Sequence, residues 1–131
     1  MGIDTDILLS AVTRARTLAN SPPISWPGVN FDPPNAGIWL EMTHFPNQSI
    51  NLSWDSDSAN EFFGFIQILV LDRPGKGIVN ITAQAELIID HFPKGLLMGG
   101  VRVQKRPYIA PAVKDGNRLF IPITIPYRGI N

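Results

Sequence analysis

Hydrophobic residues recur at intervals of three and four through Ile7, Leu8, Ala11, Val12, Ala15, Leu18 and Ala19, a spacing that gathers side chains into one stripe of a helix. The pattern predicts a helix over residues 4–20. Asp4, Thr5 and Asp6 supply capping oxygens and negative charge at its start, Arg14 and Arg16 lie towards its negative end, and Pro22-Pro23 stops it. A second stripe, Ile78, Ile81, Ala85, Ile88 and Phe92, predicts a helix over 78–92 that ends before Pro93. Its β-branched residues give it modest intrinsic propensity, so packing must hold it.

Between and after the helices the period changes. Residues 39–45 are β-prone and end at Pro46, and residues 61–72 form an almost unbroken apolar run that reads as a central strand covered on both faces. The intervening 47–60 segment is polar, with Ser49, Ser53, Ser56 and Ser58, yet it carries Ile50, Leu52 and Trp54; a long hairpin loop or arm fits it. Arg73-Pro74-Gly75-Lys76-Gly77 is a turn. Gly99-Gly100 opens a closing pair of strands, 101–109 and 118–127, joined across Lys114-Asp115-Gly116-Asn117. The last strand alternates, with Leu119, Ile121, Ile123, Ile125 and Tyr127 on one face and Phe120, Pro122, Thr124 and Pro126 on the other. Pro122 and Pro126 remove two donors from the same lateral side of that strand, which predicts a sheet edge or a broken pairing there. Residues 21–36 carry Pro22, Pro23, Pro27, Pro33 and Pro34 and read as an extended connector, with a short strand at 24–26.

The fold class this order implies is α+β: a mixed, mostly antiparallel four- to five-stranded sheet with two helices packed on one face, in a single domain over 1–131. Because 61–72 is apolar in both registers, the opposite face needs its own cover, and a neighbouring subunit is the obvious candidate.

Composition sharpens this picture. Hydrophobic residues are 44% and charged residues 17% of the 131 positions, more apolar and less charged than an average soluble domain, so some apolar surface is available to a partner. No run approaches the length of a membrane span and the first ten residues do not read as an export signal, so a cytosolic protein with no membrane partner is expected. With no cysteine, disulfides, thiolate metal sites and cysteine nucleophiles are excluded. The formal net charge is zero, but residues 1–72 hold eight acids against Arg14 and Arg16, and residues 73–131 hold nine bases against Glu86, Asp90 and Asp115. Either these charges mix again in the fold, or they make a two-signed subunit suited to head-to-tail contacts.

A search for catalytic constellations is negative, and the chain reads as a non-enzyme without cofactor or metal. His44 and His91 stand in no metal-ligand spacing. Asp90 and His91 are adjacent and point apart on a helix, and no Gly-x-Ser-x-Gly elbow exists. Gly75-Lys76-Gly77 lacks the hydroxyl and spacing of a phosphate-cradling loop. Asp55-Ser56-Asp57 has the opening of a calcium loop, but Asn60 and Ile66 stand where its glycine and closing glutamate belong. Basic residues Arg102, Lys105, Arg106, Lys114, Arg118 and Arg128 gather around the terminal hairpin, as a solvated face or as a surface for phosphate read without sequence preference.

The order of segments and several short motifs resemble the tail terminator proteins of long-tailed bacteriophages, over nearly the whole chain. The resemblance rests on the opening helix, Trp39-Leu40-Glu41-Met42-Thr43, Gly64-Phe65-Ile66-Gln67-Ile68 leading to Arg73-Pro74-Gly75-Lys76-Gly77, and the helix ending at Phe92. To these it adds Gly99-Gly100-Val101-Arg102-Val103, Asp115-Gly116 and Ile125-Pro126-Tyr127-Arg128. It implies a structural virion protein, assembled in the host cytoplasm as a homo-hexameric ring at the head-proximal end of the tail. Its partners would be its own copies, the major tail tube protein and the head connector or neck protein, with DNA passing through the lumen. On this reading Ile50, Leu52, Trp54, Asp55 and Asp57 are expected at a subunit or tube interface, and Arg102, Lys105, Arg106, Arg118 and Arg128 at the lumen or an interface. A head-side neck protein, or a small-ligand or nucleic-acid binding module, stands as the alternative.

Overall fold

The stripe that begins at Ile7 forms α1 (Ile3–Arg16), and the second stripe forms α2 (Val79–His91). The computed structural model describes residues 3–18, 22–34, 37–46, 50–51, 60–75 and 77–130. The strands are β1 (Ile24–Ser25), β2 (Trp39–Pro46), β3 (Ile50–Asn51), β4 (Asn60–Asp72), β5 (Leu97–Met98), β6 (Val101–Val103), β7 (Tyr108–Ile109), β8 (Val113–Asp115) and β9 (Arg118–Ile130). All nine belong to one sheet, whose main path runs β1-β2-β4-β9-β6-β5. Among the described residues β1 alone pairs in parallel, with β2; the other ladders are antiparallel.

The α+β class and the mixed, mostly antiparallel sheet therefore hold, while the strand number of four to five is too low. The excess comes from short pieces. Residues 101–109 do not run as one strand: β6 ends at Val103, residues 104–107 leave the ladder around the buried Pro107, and β7 resumes at Tyr108. The cause lies in β9. Pro122 and Pro126 have no N–H to give on that side, so neighbours there use their carbonyls instead: Ala110 N–H donates to Pro122 O (3.0 Å) and Gln104 N–H to Pro126 O (2.8 Å). The broken pairing anticipated from the two prolines is present. A further strand, β5, was not anticipated; it forms because Gly99, at φ +63°, folds 97–98 back onto 101–102.

Register decides what is buried. Leu40 faces Val70 and Met42 faces Ile68 across β2 and β4, while Ile66, Ile68 and Val70 face Ile125, Ile123 and Ile121 across β4 and β9. These residues share one face of the pleat. They form one core with Ile7, Ala11, Ala15 and Leu18 of the first helical segment and with Ile81, Ala85, Ile88, Ile89 and Phe92 of the second. Both helices cover that same face.

The two helices are also tied directly by backbone and side-chain polar groups. Arg14 Nε donates to the His91 carbonyl (2.7 Å), and His91 Nε2 lies 2.9 Å from the Arg14 carbonyl and 2.6 Å from Thr17 Oγ1. A carbonyl oxygen only accepts, so Nε2 is the protonated nitrogen of that ring.

The β5–β6 turn is wedged against α1. A side chain built on Gly99 would stand 2.9 Å from the backbone carbon of Asp6, and its positive φ is one that other residues adopt at a cost. Gly99→Ala is expected to lower stability by about 1–3 kcal/mol, read as a shift in the urea midpoint with unchanged slope.

Candidate functional site

The alternation that buries Ile66, Ile68 and Val70 sends Phe63, Phe65, Gln67 and Leu69 to the other face, together with Thr43 and Phe45 from β2 and Phe120, Pro122, Thr124 and Pro126 from β9. These side chains are half-buried or exposed, whereas Met42, Ile66, Ile68, Val70, Ile121, Ile123 and Ile125 on the opposite face are buried. Among the described residues, the strand over 61–72 is covered continuously on one face and incompletely on the other. Trp39 and Leu71 are the exceptions on the open face, both buried. Arg73 accounts for Trp39: its guanidinium sits 5.2 Å from the Trp39 ring centre and donates to the Pro34 carbonyl (3.1 Å), pinning the proline-rich connector at that end.

The open face has an aromatic centre and charged ends. Phe45 and Phe65 stack with ring centres 4.9 Å apart, and Phe45 is 41% exposed. Tyr108, opposite Thr124, is 49% exposed and has the Lys105 ammonium over its ring at 5.1 Å. At one end Arg118 bridges Glu41 (3.5 Å) and Asp115 (3.4 Å). At the other Arg128 pairs with Glu61, lining a shallow cavity of about 270 Å³ with Phe63 and Gln104. Exposed ion pairs like these contribute little stability, but they balance charge at both ends of a surface on which aromatic and aliphatic side chains flank the polar row Thr43, Gln67 and Thr124.

The sequence-derived basic residues separate into distinct places. Arg102 and Arg128 are register partners on the open face, and Arg102 donates to the Gly95 carbonyl (2.9 Å). Arg118 lies ten positions from Arg128 along β9, roughly 33 Å away at the rise of an extended strand. Arg106 turns to the helical side, where it reaches Asp90 at 3.6 Å. Arg118–Glu41 and Arg128–Glu61 join bases of the second half to acids of the first, so part of the charge asymmetry mixes in the fold. Of the other group, Ile50 sits in β3, paired with Glu61; Leu52, Trp54, Asp55 and Asp57 lie outside the described residues. Phe45, Phe65 and Tyr108 were not singled out from the sequence. The signal available was the side-chain parity of residues 39–45 and 61–72, which has meaning only once the register is known.

His44 has a structural partner too. Its Nε2 lies 2.7 Å from the Tyr127 hydroxyl, at the margin of the core. Burial lowers the His44 pKa, with the Asp4 carboxylate opposing it. Burial, with Asp4 acting in the same direction, pushes Tyr127 up to about 12. Neutral imidazole and neutral phenol are the forms this pair favours.

Among known proteins, a family model described as "Phage tail terminator protein" matches residues 6–127. A solved structure superposes with a TM-score of 0.75 at 23% sequence identity, over 99% of this chain and 97% of the other; the likeness extends to the fold. A search of curated proteins gives no match.

The His44–Tyr127 pair carries a pH prediction. With the folded pKa of His44 below its unfolded value, the unfolded state binds the extra proton first. Its contribution to stability is complete above about pH 6.5 and declines as pH falls from there towards the lowered folded pKa. The wild-type melting temperature should fall between pH 7 and 5 more steeply than that of His44→Gln. Tyr127→Phe should cost about 1 kcal/mol at neutral pH through the lost hydrogen bond.

Proposed function

Because this chain belongs to the phage tail terminator family, a family of structural proteins of the bacteriophage tail, we propose that it assembles as a ring, hexameric in number, that caps the tail tube. The ring ends tube polymerisation and presents the surface to which the head is joined. Its partners are its own copies, the tail tube protein and the head's connector or neck protein, with DNA passing through the lumen without sequence reading.

The observation that supports assembly most directly is the open face of the sheet. A single subunit leaves Phe45, Phe65, Leu69, Phe120 and Tyr108 without full cover, and contiguous apolar surface of that kind marks a place of protein contact. The titratable groups that would otherwise suggest chemistry are engaged in holding the fold: His44 with Tyr127, His91 with Arg14 and Thr17. A surface-based role follows, in which one face of the ring matches the growing edge of the tube and the other offers no match to the next tube subunit.

Deletion of the gene from the producing phage should give tails longer than normal that fail to join filled heads, as measured by electron microscopy. Tails of normal length with normal joining would refute the terminator role. Normal tails beside heads that leak DNA would favour a head-side neck protein instead.

A further inference from the structure

The subunit carries two exposed apolar surfaces on opposite sides. One is the open face of the sheet. The other is the outward side of the helical layer, where Val79, Ala83 and Leu87 repeat at four-residue spacing on α2; Val79 is 76% and Leu87 53% exposed, and Leu9 of α1 is 49% exposed. A helix whose inner stripe is already buried has no need of apolar residues on its outer stripe for folding.

Charge distinguishes the two surfaces. On the sheet face Glu41 and Glu61 are each held by an arginine, and Asp115 also meets Arg118. That leaves Arg102, bonded to a carbonyl, and Lys105, lying over Tyr108, as positive charge without an acidic partner among the described residues. On the outer row of α2 the charged residues are Glu86 and Asp90. Asp90 meets Arg106, while Glu86 has no ion pair among the described residues. The sheet face keeps the charges of Arg102 and Lys105 and the outer row of α2 keeps that of Glu86, while on α1 Arg14 and Arg16 balance Asp4 and Asp6.

We infer that the open sheet face of one copy is covered by the outer face of α2 and the adjoining surface of α1 of the next copy, in a head-to-tail contact repeated around the ring. The inference rests on the ring-forming role proposed above and names the surfaces that make it. A two-fold contact of sheet face on sheet face would set Arg102 and Lys105 against the like charges of its mate, leave the helical row uncovered and close at a dimer. A heterologous contact lets Arg102 and Lys105 meet Glu86, covers both apolar surfaces and continues to the next subunit. The size fits: four strands by about eight residues span roughly 20 Å by 26 Å, about 500 Å² in projection, which with side-chain relief is of the order of the 800 Å² per partner of a stable interface.

The chain has no native cysteine, so crosslinking can read the contact directly. Tyr108→Cys and Leu87→Cys, both at half-exposed positions, are prepared separately, checked for native melting temperature, and mixed at a concentration where native mass spectrometry detects wild-type oligomers. A short bismaleimide should join Tyr108→Cys to Leu87→Cys at least tenfold more than it joins either variant to itself. The double variant should give a ladder that stops at the ring size. Oligomers crosslinked only between like positions, or oligomers with no crosslink, overturn this contact while leaving ring formation standing. Absence of oligomers at every concentration and on purified tail tubes overturns the contact and the ring together.

Discussion

The register of β4 against β9 is the constraint on which the remainder of the molecule depends. Twelve residue pairs, from Glu61 with Ile130 to Asp72 with Leu119, bring the inward rows of the two longest strands together. A slip of one residue would turn Ile121, Ile123, Ile125 and Tyr127 to water and Phe120, Pro122, Thr124 and Pro126 to the helices. At about 2 kcal/mol for each buried aliphatic side chain, losing the three isoleucines alone removes roughly 6 kcal/mol, comparable with the entire stability of a small domain. The ion pairs of Arg118 and Arg128 add little to that choice, since exposed pairs contribute at most about 1 kcal/mol each. Hydrophobic alternation sets the register; the charges are carried along.

Once that ladder is set, the other side of β9 cannot be a regular one. Pro122 and Pro126 turn towards it with carbonyls and no donors, so β6, β7 and β8 attach as separate short pieces with loops between them. Those interruptions place Lys105 and Tyr108 at the surface of the open face and let Arg106 cross to Asp90. The break in pairing thus distributes the basic residues over two sides of the subunit and separates what the sequence places within one hairpin.

The same sheet is therefore closed on one face and open on the other. The closed face is sealed at its edges by polar contacts that tie distant segments: Arg14 and Thr17 to His91, His44 to Tyr127. In each histidine it is Nε2 that makes these side-chain contacts. Membership of the phage tail terminator family agrees with a structural role in the phage tail.

By itself the sequence determined the elements whose signals are local. Periodic stripes placed both helices to within a few residues, an apolar run in 61–72 marked the central strand, and the prolines of 118–127 announced the broken ladder. Local patterns suffice there because helix packing, strand alternation and the missing proline donor act between residues close in the chain. Tertiary structure alone decided the rest. The sheet has more strands than expected because pieces of two or three residues, such as 97–98 and 108–109, form only against a partner already in place. Phe45 and Phe65 stack, and Tyr108 reaches the same face, because register aligns strands that are distant in the chain, and the basic cluster of the terminal hairpin divides because an extended strand carries Arg118 and Arg128 to its opposite ends.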